Sequence, residues 1–197
     1  MQDLLREISL LSATSATLDW DQETFAPAGS VDFRAKQLSY LQGRIHELRT
    51  SDKFRDGLAS LDGANQRELT HQFERATKLP TELVERDSEA SSLAKAAWGK
   101  ARKNNDFPAF APHLDKLLAI AREKANHWGF EDEPYDALLS EYERGAKTSE
   151  VATLFDSISG ELAEIAAAAV EASAAIPPDY LYGPAPIEAQ QTLNHEV

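Results

Sequence analysis

Asp19, Asp21 and Glu23 surround Trp20 in the stretch Leu18-Asp19-Trp20-Asp21-Gln22-Glu23-Thr24. Carboxylates held beside an apolar ring are candidates for a perturbed proton affinity. On that reading Trp20, Asp21 and Glu23 are substrate-groove candidates, an acidic patch able to work as a carboxylate pair. The commoner outcome for such a stretch is a solvated helix end anchored by a buried Trp ring, whose indole N–H finds a nearby carboxylate. Other chemistries have less to stand on. The nine Gly are scattered, so no phosphate-cradling loop is present. Ser, His and Asp occur without nucleophile-elbow spacing. The acidic run Glu131-Asp132-Glu133 reads as a solvated linker. No residue is assigned a catalytic or metal-binding role.

The elements that must position this stretch are helices. Leu4, Leu5, Ile8, Leu11 and Leu18 recur at helical spacing, predicting a first helix over 3–19 that ends in the motif. Pro27 and Gly29 close it. Ala35, Leu38, Leu41, Ile45 and Leu48 stripe a second helix over 31–49, in which Gly43 marks close approach by another helix. Ser51 or Asp52 caps a short helix to about residue 60, and 62–65 reads as a turn. Helices follow over 65–77 and 80–103. The latter carries a small-residue stripe of Ala90, Leu93, Ala94, Ala97 and Trp98.

Asn105-Asp106 signals the next helix start, but Pro112 predicts that its main body begins near 112, running to Trp128 with Gly129 as its stop. A short helix over 135–142 is expected next. Thr148 or Ser149 then caps a long one, with Val151, Leu154, Phe155, Ile158, Leu162 and Ile165 on one face and Pro177-Pro178 as its end. Residues 180–184 read as extended, with room for one strand edge, and a last helix opens at Pro186 or Ile187. A helix of about 11 residues is marginal in water. With no stop signal in sight, Val197 is expected to be a cut inside a helix. The expectation is an all-α, multi-helix array in one region, 1–197, with no repeat and no internal boundary.

Bulk properties bound the function. Hydrophobic residues make up 42% of the 197, enough to bury a core. A net charge of −13 repels phosphate backbones and anionic membranes, so nucleic-acid and membrane partners are disfavoured. No Cys is present, which fits a reducing, cytoplasmic setting and excludes disulfides and thiolate metal sites. Residues 1–20 lack the basic start and apolar core of a signal peptide.

The heptapeptide 18–24 resembles the amino-terminal signature of the carboxypeptidase Taq family. The resemblance continues in order through Arg34-Ala35-Lys36-Gln37-Leu38-Ser39-Tyr40-Leu41, Ile45-His46-Glu47-Leu48, Asn105-Asp106-Phe107, Phe110-Ala111-Pro112-His113-Leu114, Arg122-Glu123-Lys124-Ala125 and Pro134-Tyr135-Asp136-Ala137-Leu138-Leu139 with Glu141-Tyr142-Glu143. It spans essentially the whole chain and less than half of a full family member. Phe25-Ala26-Pro27-Ala28 stands where the family commonly has Met-Pro-Pro. The resemblance implies an all-helical fold of which this chain forms one side of a peptidase substrate groove. It implies a metallopeptidase using zinc, or cobalt, that releases single C-terminal residues from peptides with broad preference, and a homodimer at full length.

Such an enzyme holds its metal on His-Glu-x-x-His, with both imidazoles on one helix face and the Glu as general base. By the resemblance, a later Glu completes the ligands. None of the five histidines here, His46, His71, His113, His127 and His195, has a partner four residues on. His46-Glu47-Leu48-Arg49-Thr50 offers Thr where the second imidazole belongs, and His195-Glu196-Val197 stops short. The resemblance places the metal motif after residue 197. The leading expectation is the amino-terminal part of a metallocarboxypeptidase, inactive alone and partnered by its carboxy-terminal catalytic part. Two others remain open: a non-catalytic helical binding or scaffolding module, and one half of a split peptidase. A reading frame continuing into His-Glu-x-x-His separates the first from the second. Co-purification of a helical partner carrying that motif identifies the third.

Overall fold

The computed structural model describes residues 1–173 and 183–196. Among these residues there are nine α-helices and no strand, the all-α class expected. They are α1 (Gln2–Thr24), α2 (Val31–Thr50), α3 (Asp52–Leu58), α4 (Gly63–Ala76), α5 (Thr81–Asn104), α6 (Phe107–Trp128), α7 (Pro134–Leu139), α8 (Thr148–Ser173) and α9 (Ile187–Glu196), with a short 3-10 turn over Ala28–Ser30. The expected stop at Pro177-Pro178, the extended Tyr180-Leu181-Tyr182 and the terminal Val197 lie outside the described residues. Contacts group the chain into two compact units, Met1–Gly145 and Ala146–Val197.

Within the first unit, α2 packs along α5, α5 along α6 and α1 along α2. Three apolar clusters result. Leu4 and Ile8 of α1 meet Ile45 and Leu48 of α2 and Phe54 and Leu58 of α3. Leu83 and Ala90 of α5 meet Ile120 of α6. Ala125 and Trp128 of α6 meet Ala137 of α7. Much of the α1 and α2 stripes is buried, because a 3.6-residue repeat delivers a continuous face to a neighbour, whereas Trp98 of the α5 stripe stays exposed and Leu83 and Ile120, in neither stripe, are buried. Each Leu or Ile so buried contributes about 1.5–3 kcal/mol. At Gly43 of α2 the Glu85 side chain of α5 lies close: a Cβ built there would be 2.7 Å from its Cγ.

Local signals set most helix ends. Ser51 Oγ accepts from Phe54 N–H at 3.2 Å and caps α3. Asp106 Oδ1 accepts from Ala109 N–H at 3.2 Å and caps α6. Asn105, left-handed at φ 55°, ends α5, so one dipeptide closes a helix and opens the next. Gly63 takes φ +62° at the turn into α4.

Three expectations are corrected. α1 does not end at the motif but runs through it to Thr24. The real punctuation is Pro27, and nothing in 19–24 removes a backbone donor earlier. α6 starts at Phe107 and continues through Pro112. With the start already capped by Asp106, Pro112 forfeits one bond to the Pro108 carbonyl in the second turn, and twenty-two residues of helix absorb it. α7 ends at Leu139, short of 142. The stripe on α8 forms as helix, and none of α8 is buried among the described residues: Leu154, Phe155, Ile158, Leu162 and Ile165 are all exposed, as a face meant for the missing part of the enzyme would be.

Candidate functional site

Because α1 continues through 18–24, the acidic side chains of the motif project at helical intervals onto different neighbours. Asp21 faces α2. Its Oδ2 accepts from the Arg34 guanidinium at 2.7 Å. The same guanidinium donates to the Leu18 carbonyl at 2.5 Å and to Gln37 Oε1 at 3.1 Å. The Arg34 side chain is only 13% exposed, so Asp21 is engaged in a part-buried clamp between α1 and α2.

Glu23 and Asp19, four residues apart, face α5 instead. Lys95 Nζ donates to Glu23, and it lies 3.5 Å from Asp19 Oδ2. The hydrogen bond to Glu23, first among its causes, raises the Lys95 pKa and holds the ammonium charged. Between these contacts Gln22 and Ser92 exchange bonds: Ser92 Oγ donates to Gln22 Oε1 at 2.8 Å, and Gln22 Nε2 donates to the Ser92 carbonyl at 3.3 Å.

Trp20 points to neither helix. Its ring is 57% exposed and meets Phe25 edge-on, centroids 5.4 Å apart at 67°. The buried, Trp-anchored helix end is therefore corrected. An exposed indole flanked by an exposed Phe25 is an open aromatic surface, one side of which is free to stack on a ligand. Thus Asp21 goes into an interhelical clamp, Glu23 into a solvent-facing ion pair, and Trp20 outward. Arg34, Lys95 and Ser92, which hold Asp21, Glu23 with Asp19, and Gln22 respectively, lie 13 to 76 residues away from their partners in the motif. No local spacing connects them.

Beside the motif a cleft of about 550 Å³ opens between α1, α2 and α5. Its walls include Ser12, Ser15, Asp19, Gln42, Asp87 and Lys95. Ser15 is buried and accepts from Gln42 Nε2 at 3.1 Å. Asp87 is held by Lys124 at 3.1 Å. Ala16, Leu38 and Val84 complete the walls, so hydroxyl and charged groups alternate there with apolar surface.

The histidines form no metal centre among the described residues. Among the described residues no three His, Asp or Glu side chains gather closely enough to hold an ion. His46 is 7% exposed, and its Nε2–H donates to the Leu79 carbonyl at 3.0 Å. Thr50, at the position a second imidazole would need, donates its hydroxyl to the His46 carbonyl at 2.9 Å. Both ends of the near-match are occupied by helix packing.

The family model for carboxypeptidase Taq (M32) metallopeptidase matches residues 1–197. A thermostable carboxypeptidase 1 of Pyrococcus furiosus is 32% identical over 166 residues, covering 80% of this chain and 33% of that protein. A thermostable carboxypeptidase 1 of Thermus thermophilus is 29% identical, covering 98% of this chain and 42% of that protein. The crystal structure of BsuCP superposes with a TM-score of 0.86 at 26% identity, covering 98% of this chain and 41% of that one. The chain spans between a third and somewhat over two fifths of the length of these curated relatives. From the heptapeptide of α1 to the last described helix, this chain belongs to the carboxypeptidase Taq (M32) metallopeptidase family.

Proposed function

We propose that this chain is the amino-terminal wall of a metallocarboxypeptidase that removes single residues from peptide C-termini with broad preference. The family match over the full 197 residues carries the reading. In it, Trp20 and Glu23 line the substrate groove, while Asp21, through Arg34, keeps that wall rigid. The open Trp20–Phe25 pair supports this role, since a broad-specificity groove is served by aromatic surface and few directional contacts.

Among the described residues no seat forms for the family's metal, zinc or cobalt in this reading. His46 is committed to Leu79, and no three-ligand cluster exists among the described residues. No step of the reaction is therefore assigned to this chain's side chains. The apolar face of α8 is where the catalytic remainder of the enzyme docks. It offers Leu154, Phe155, Ile158, Leu162 and Ile165 uncovered, and the relatives are more than twice this chain's length. The assembled enzyme would be a homodimer of the cytoplasm.

The purified chain, incubated with zinc or cobalt and an amino-blocked dipeptide, is expected to release no C-terminal residue. Metal-dependent release would overturn the assignment of catalysis to the remainder.

A further inference from the structure

A second cleft, of about 530 Å³, opens where the end of α2, the middle of α4 and the turn after α7 meet. It lies on residues the peptidase reading does not use. Three guanidinium groups line it, Arg49, Arg75 and Arg144, against two carboxylates, Glu68 and Glu141. Both carboxylates are engaged: Glu68 pairs with Arg144 at 3.0 Å and Glu141 with Arg75 at 3.7 Å. Arg75 is further fixed. Its guanidinium sits 3.9 Å from the centroid of Trp128 and donates to the Ala137 carbonyl at 3.3 Å.

Arg49 differs from both. No hydrogen bond or ion pair reaches it among the described residues. Its side chain is exposed and so open to a ligand entering the cleft it lines, while partial desolvation on that side lowers its pKa. A guanidinium does not give up its proton, so that direction means a charge hydrated less well than in open water. In a chain of net charge −13, an unpaired cation in a cleft with surplus positive charge runs against the background field. The forked donors of Arg match the paired oxygens of carboxylate and phosphate, and the cleft has the size of a small-molecule site.

We propose that this cleft binds a small free oxyanion, a carboxylate or a phosphate, with Arg49 as the principal contact and Arg75 beside it as a fixed second cation. The proposal is independent of the peptidase reading. It is tested by titrating the 197-residue chain at low ionic strength with inorganic phosphate and, separately, with succinate, following the indole and amide NMR signals. Saturable shifts at the Trp128 indole are expected with at least one anion, and the tighter of the two identifies the group. Arg49→Gln is expected to weaken binding about tenfold or more, by loss of charge-assisted hydrogen bonds. Arg49→Lys, which keeps charge but not the fork, falls between. Arg6→Gln removes the same charge at an exposed position outside the cleft and is expected to leave affinity within about twofold, because screened surface charges act weakly. Thermal melts establish that Arg49→Gln is folded, and Arg49→Lys carries the comparison if it is not. Absence of saturable shifts with both anions, or equal losses in Arg6→Gln and in the Arg49 variant, would overturn the proposal.

Discussion

The three acidic residues of the motif have unequal value, and exposure decides which matters. Arg34 makes three hydrogen bonds from a side chain that is 13% exposed. Arg34→Ala strands Asp21 and the Leu18 carbonyl, and should cost about 2–3 kcal/mol in urea unfolding. Glu23 faces Lys95 from a side chain 49% exposed, so Glu23→Gln should change stability by no more than about 0.5 kcal/mol. Equal losses in the two variants would contradict this division. His46 supplies a pH dependence. Burial, the largest cause, and the nearby Arg49 charge lower its pKa, against the Leu79 carbonyl and Glu47 which raise it. The folded state thus binds this proton less readily than the unfolded chain, whose His titrates near 6.5. The contribution is complete above that value and is lost as pH falls below it toward the folded pKa, with no further loss beneath. Unfolding free energies of the wild type and His46→Gln, compared from pH 7.5 to 5.5, should show a shallower slope in the variant.

Between α2 and α5, the space a side chain at Gly43 would fill is taken by the Glu85 side chain. Ala is about 1 kcal/mol better than Gly inside a helix. Here that gain is opposed, because the new Cβ would meet Cγ of Glu85 at 2.7 Å. Only the flexible Glu85 side chain has to move aside, so Gly43→Ala should change stability by less than about 1 kcal/mol. Placed in a Glu85→Ala background, the same substitution should become stabilising by about 1 kcal/mol, the helix preference then acting alone. A double-mutant cycle in denaturant measures both, and simple additivity would mean that the Glu85 side chain moves away freely. α6 illustrates how caps outweigh a breaker: Asp106 holds the first turn, so Pro112 costs one bond and not the helix.

For the molecule as a whole, the apolar face of α8 is the main unmet requirement. Ile158 is 39% exposed and Phe155 60%. Contiguous apolar surface of this kind drives association when nothing covers it. The isolated chain should self-associate with rising concentration in sedimentation velocity, and Ile158→Lys with Leu162→Glu should disperse it. A wild-type monomer that stays dispersed at high concentration would count against both the exposed face and the docking role proposed for it.

Helix identity was readable from the chain itself because it rests on local quantities: a 3.6-residue apolar repeat, Ser51 and Asp106 as caps, Gly63 and Asn105 at left-handed turns. The family was readable because the residues around Trp20, and those that follow in order, keep their types and spacing. Tertiary structure alone decided what the motif does. Asp21 meets Arg34 across 13 residues and Glu23 meets Lys95 across 72, and no periodicity links positions that far apart. It also decided that Trp20 faces outward, that His46 is used up by the Leu79 carbonyl, and that Arg49 has no counter-charge among the described residues. Each depends on which helix faces become neighbours, a property of packing and not of any one segment.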